Sequence, residues 1–149
     1  MPDLTGLSIS DVATATNVTL AADTISVINY TGAAAATMTL PAATAGTIVV
    51  YCQSKDTTGG TATLVFDAAG SDVWATGSVI ESRASSEVTF DTSSAGETKL
   101  TFTPANAATN LLTTGGQIAF ICYEDATWHI ATKLAAETTQ VTGAFVFAA

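Results

Sequence analysis

Hydrophobic and polar positions alternate in short runs along most of the chain. The clearest run is residues 115–133, GGQIAFICYEDATWHIATK, where Ile118, Phe120 and Cys122 fall on one face and Ala119, Ile121 and Tyr123 on the other. Glu124, Asp125, Ala126 and Thr127 have the length and chemistry of a hairpin loop. Trp128 and Ile130 then resume on one side, with His129 and Ala131 opposite. The pattern predicts a central hairpin with Trp128 as its largest core anchor. Upstream, alternation starts at about Asn17. Val18 and Leu20 precede a turn, and Ile25, Val27 and Tyr30 mark a strand with Thr24, Ser26 and Ile28 on its other side. Met38 and Leu40 alternate with Thr37 and Thr39 until Pro41, which cannot donate to a ladder and closes the strand or sits on an edge. The run IVVYCQ from Ile48 is nearly continuous. It predicts a strand buried on both faces, or buried on one and packed against a subunit on the other.

Further strands are predicted around Leu64 and Phe66, at Val73 and Trp74, over 78–80, over 87–90, around Leu100 and Phe102, and in the apolar terminus VTGAFVFAA. Residues 105–114 read as a loop or a single helical turn around Leu111 and Leu112, because Asn and Thr are weak helix formers. The total is about nine or ten short strands separated by turn signals, with no convincing amphipathic helix. This predicts one all-β domain over residues 17–149, an antiparallel jelly-roll-like sandwich or barrel. Residues 1–16 are small and polar without a sustained period, and are expected to form an arm that orders only against a neighbour.

Charge narrows the partners. The 149 residues include 4 basic and 13 acidic side chains, a net charge of −9, and only 11% are charged at all. Such a balance is wrong for holding a phosphate backbone, so nucleic acid is not an expected partner. The opening MPDLTGLSISD has no basic or strongly apolar region, so neither a signal peptide nor a membrane span is expected and synthesis in the cytosol is. Cys52 and Cys122 both lie in apolar alternating runs, where two buried free thiols are the first reading and a disulfide the second.

Chemistry-bearing groups are scattered. His129 is the single histidine, on the face opposite Trp128, with no Ser, Cys or carboxylate that the spacing would bring beside it. Asp67 and Asp72 share a loop, as do Asp91 and Glu97, and Glu124 neighbours Asp125; none has the spaced oxygen ligands of a calcium loop, and a weak cation at Asp67 and Asp72 is the most they suggest. There is no Gly-rich phosphate loop, nucleophile elbow or paired-cysteine motif, so neither catalysis nor a cofactor is expected. Phe66, Trp74, Phe90, Phe102, Phe120 and Trp128 are expected in the core. Phe145 and Phe147 sit on a terminal strand with almost nothing polar, which must be hidden inside the subunit or against another copy. The candidate interface residues are Leu4, Leu7, Ile9, Phe145 and Phe147.

Residues 39–46 (TLPAATAG) leading into the strand at 49–52, the Gly59-Gly60 turn, the loop 69–72 (AGSD) and the strand-turn-Trp unit 118–130 together resemble a group of small bacteriophage virion proteins. These are the capsid decoration, or cement, proteins and related head-fibre modules. The similarity runs from about Thr37 to Lys133. One departure is the turn before Trp128, where relatives often carry Gly and this chain has Ala126, making a positive φ less expected. The resemblance implies a structural protein without catalytic residues, on the outer surface of the virion. It also implies a homotrimer seated at junctions of the major capsid protein, held by residues 1–16 and the terminal strand. The alternative is a receptor- or glycan-binding module of a head or tail fibre, which requires an exposed ring such as Trp74 or an exposed His129.

Overall fold

The computed structural model describes residues 8–12, 17–55, 62–84, 88–103, 116–131, 134–138 and 145–149. Among them there is no helix, and hence none long and apolar enough to cross a membrane. The chain begins with β1 (Ser8–Val12), β2 (Asn17–Thr19), β3 (Thr24–Ile28), β4 (Ala36–Thr39), β5 (Ile48–Gln53) and β6 (Leu64–Asp67). It continues through β7 (Val73–Trp74), β8 (Val79–Ala84), β9 (Val88–Thr92) and β10 (Lys99–Phe102). The last elements are β11 (Gln117–Glu124), β12 (Thr127–Ile130), β13 (Leu134–Thr138) and β14 (Phe145–Ala148). Two large sheets pack face to face: sheet A, in the order β1-β3-β5-β11-β12-β7, and sheet B, in the order β14-β10-β6-β4-β2. A small sheet C has the order β13-β8-β9.

The all-β sandwich is as expected, but its pairing is mixed instead of antiparallel. From β1 to β6 the chain alternates between sheets, so each strand pairs in parallel with the one two positions on: β1 with β3, β3 with β5, β2 with β4 and β4 with β6. A parallel pair needs a crossover, and here the crossover is a strand of the opposite sheet. The chain therefore winds as a flattened coil through three turns. Antiparallel pairs join β5 to β11, β11 to β12, β6 to β10 and β10 to β14. Alternation has the same period of two in either direction, which is why the sequence pattern does not separate the two wirings.

The arm is also corrected in part. Ser8–Val12 forms the edge strand of sheet A on β3 of its own chain, without needing a neighbour. Residues 1–7, with Leu4 and Leu7, lie outside the described residues, as do Gly59, Gly60 and the segment 105–114. The hairpin of β11 and β12 is where it was expected. β8 runs through Ala84, beyond the expected 78–80, and β13 is a strand no alternation announced.

The core lies between the large sheets. Phe66 of sheet B meets Tyr51 and Phe120 of sheet A at ring-centroid distances of 5.1 and 5.2 Å, and Trp74 meets Phe120 and Phe147 at 5.5 and 5.8 Å. Tilted and edge-on pairs of this kind add about 0.5–1.5 kcal/mol each beyond their area. Trp74, Trp128, Phe66, Phe102 and Phe120 are fully buried, as expected; Phe90 lies outside the residues whose side chains are described. β3 is inverted in character. Thr24, Ser26 and Ile28 face the core, while Ile25 and Val27, the apolar markers of the strand, face outward and are half-buried.

Candidate functional site

Five carboxylates among the described residues accept hydrogen bonds from backbone N–H groups. Asp72 Oδ2 accepts from the Ala43 N–H at 2.6 Å and Asp125 Oδ1 from the Ala45 N–H at 2.9 Å, so two acids from separate turns hold the loop 41–47. Asp23 Oδ1 accepts from the Ile48 N–H at 3.2 Å, Glu97 Oε2 from the Ser94 N–H at 2.6 Å, and Asp91 Oδ2 from the Phe147 N–H at 2.6 Å. A carboxylate accepting a backbone N–H makes a charge-assisted bond stronger than a neutral one. Five of the 13 acidic side chains thus serve turns and strand ends. Asp67 stands across from Lys99 in the register of β6 and β10. No three His, Cys, Asp or Glu side chains among the described residues are placed to hold a metal ion.

The turn at residues 124–127 shows the same tethering. Ala126 adopts φ of +64°, contrary to expectation for a residue with a Cβ. Its N–H donates to Ala43 O at 2.9 Å and its carbonyl accepts from the Val73 N–H at 3.0 Å, which with the Asp125 bond over-determines the backbone. A bulge in β11 between Ile121 and Glu124 lets this happen. Its Cys122 pairs outward, donating to Thr47 O at 2.9 Å and accepting from the Gly46 N–H at 2.8 Å.

Both cysteines are free and lie on opposite faces of sheet A. Cys122 is in the core, its thiol donates to Glu124 O at 2.9 Å, and burial pushes its pKa up, away from the thiolate a nucleophile needs. Cys52 is half-buried on the outward face. His129 lies on that same face beside Ile121, and its ring meets exposed Tyr123 edge-on at 4.9 Å. Among the described residues its buried Nε2 has no hydrogen-bond partner, and neither do the indole Nε1 atoms of Trp74 and Trp128.

The most elaborate polar arrangement is internal. Gln53, fully buried, accepts from the Tyr51 hydroxyl and donates to Tyr30 O at 2.7 Å and to Lys55 O, while the Tyr30 hydroxyl donates to Ala62 O. Burial pushes the Tyr30 phenol up to about 12, and Tyr51 further, with Tyr30 and Cys52 as lesser causes. Every side-chain donor of Tyr30, Tyr51 and Gln53 is used, which marks a structural knot.

Two of the candidate interface residues are corrected. Phe145 and Phe147 are 2% and 5% exposed within the chain itself, Phe145 packing on Phe102 at 5.0 Å and Phe147 on Trp74. The alternation of β14 turns Val146 and Ala148 outward in their place. Ile9, at 72% exposed, stands on the surface. Trp74 is wholly enclosed, which removes the ring on which a glycan was to stack. What sequence reasoning missed is the outward apolar face of β3; its signal was present in Ile25 and Val27 but reads as core in a strand considered alone. No family model, characterised protein or solved structure matches this chain.

Proposed function

We propose that the chain is a structural virion protein that binds the outer surface of a bacteriophage capsid and stabilises it, acting through contacts with the major capsid protein and with copies of itself, as a homotrimer. The observation that carries the reading is where its carboxylates go: Asp23, Asp72, Asp91, Glu97 and Asp125 all serve as backbone acceptors, which cross-braces the scaffold. A decoration protein has to be stable without a cofactor and clamp its neighbours through many small contacts, and this scaffold suits that task. The resemblance of residues 39–46 and 118–130 to decoration proteins supplies the capsid as the partner. It acts without catalysis. Pelleting of the purified protein with expanded capsids tests the reading, and a strict monomer that fails to co-sediment with them would refute it.

A further inference from the structure

The two large sheets end in four edge strands, β1 and β7 in sheet A and β2 and β14 in sheet B. Two of these edges are closed by the chain itself. In β7 the N–H groups of Val73 and Ala75 donate toward β12, to Ala126 O and Trp128 O, so Trp74 turns its backbone the other way, where its N–H donates to Glu97 O at 2.9 Å. In β14 the carbonyl of Ala148 accepts from the Thr98 N–H on the β10 side, and the outward N–H of Phe147 donates to Asp91 Oδ2 at 2.6 Å.

β1 and β2 differ. In a parallel ladder, a residue that points its N–H and C=O across bonds to the residues before and after its register partner, and the partner itself faces away. β5 shows the rule: the Ser54 N–H donates to Ile28 O, and Gln53, in register with Ile28, turns away and donates to Gly116 O. Ile28 thus points at β5 and, by alternation, Ile25 and Val27 point at β1, which leaves their partners Ile9 and Asp11 pointing outward. In sheet B the Leu20 N–H donates to Thr39 O, so Thr39 and Thr37 point at β2 and their partners Thr19 and Asn17 point outward. Among the described residues nothing bonds to the main-chain groups on these outward sides, and Ile9, Asn17 and Thr19 are exposed. Neither strand has a Pro, a Lys or a bulge, the usual means of blunting an edge. Both open edges lie at one end of the winding, one in each sheet; the other end is closed by β10 and β11.

We propose that two copies of the chain join at this end, edge to edge, with β1 pairing with β1 and β2 with β2 of the second copy about a two-fold axis. What an open edge requires is main chain, and here two edges require it at once. A single extended peptide would close one and leave the other, whereas a second copy brings two open strands at the sandwich's own spacing. Antiparallel pairing asks for the same donors and acceptors on both sides, so each edge is its own complement under a two-fold axis. With the axis passing Ser10 and Val18, Ile9 stands across from Asp11 and Asn17 from Thr19. Asp11, the one charge on either strand, then never faces its own copy. The contact joins copies in even numbers. It is separate from the threefold one proposed above and independent of the capsid.

Sedimentation velocity of the full chain tests it, comparing the wild type with the double variant Ile9→Pro, Thr19→Pro. Each Pro deletes an outward N–H and no bond to β3 or β4, a place where an edge strand tolerates it. The wild type is expected in even-numbered assemblies. The double variant should sediment at half that mass with an unchanged circular-dichroism spectrum, and Ile9→Thr, which keeps the N–H, should stay paired. Should the Pro variant fail to fold, Ser10→Cys decides: its Cα falls about 4.5 Å from its counterpart across the axis, within reach of a disulfide, so mild oxidation should give a covalent dimer that the wild type does not form. A wild type found only as monomer or trimer, a double variant that stays paired, or Ser10→Cys left uncrosslinked would overturn the inference. A trimer that binds capsids would overturn it while sparing the proposed function; pairs that ignore capsids would do the reverse.

Discussion

Ala126 holds a left-handed backbone because three neighbours leave it no choice. A Cβ at φ of +64° costs about 1–2 kcal/mol, and glycine is free of that clash but loses more backbone entropy on folding. Ala126→Gly should therefore stabilise the chain by about 0.5–1 kcal/mol, seen as a higher urea midpoint at unchanged slope. A lower midpoint would mean the turn is relaxed. At the same scale, Tyr30 and Tyr51 make stability depend on alkaline pH. Burial raises both phenols above the ordinary 10, Tyr30 to about 12, so the unfolded chain releases these protons first. The contribution is complete below pH 10 and is lost as pH climbs toward 12 and beyond. Urea midpoints measured from pH 8 to 11.5 should be flat and then fall, with a shallower fall for Tyr30→Phe. Tyrosinate absorbance rising near pH 10 in the folded chain from all three tyrosines would contradict this.

Among the elements, the hairpin of β11 and β12 was the most legible, because Phe120, Cys122, Trp128 and Ile130 alternate cleanly across a turn of polar residues. β3 was legible as a strand but not in its sidedness: Thr24 and Ser26 look like surface residues until β5 and β11 are laid beside them. The distant partners of the acids were not legible. Asp72 reaches Ala43 and Asp91 reaches Phe147 across long stretches of chain, and nothing local to either acid announces a backbone N–H so far away in sequence. The Asp91 bond fastens β14, an edge strand of sheet B, through the N–H of Phe147. Asp91→Ala removes that acceptor and should cost about 1–3 kcal/mol, with amide exchange speeding up in β14 and β10 before it does in β11. Uniform acceleration across both sheets would show the bond to be unimportant to the strand.

For the molecule as a whole, stability rests on the rings that join the two large sheets. Trp128 is fully buried on β12, next in register to Trp74 on β7. Trp128→Ala should cost about 3–5 kcal/mol, measured by urea unfolding, whether or not the chain is assembled. An outward substitution such as Ile25→Thr should cost the isolated subunit far less. If the two cost the same in dilute solution, the division between a core face and an outward face on sheet A fails.

The flattened winding of β1 to β6 also governs how fast the chain can find its fold. Thr24 must meet Val49, and Ala36 must meet Leu64, before either parallel pair contributes anything, so each ladder closes a loop of about 25 residues first. The β11–β12 hairpin, by contrast, closes over a few residues. Refolding should accordingly begin at the C-terminal hairpin and be limited by the laying down of successive turns of the coil, on a timescale nearer seconds than microseconds. While those turns are incomplete, β3 and β5 present their Ile and Val residues with no partner, and a crowded solution is then as apt to join two half-folded chains as to let either finish alone.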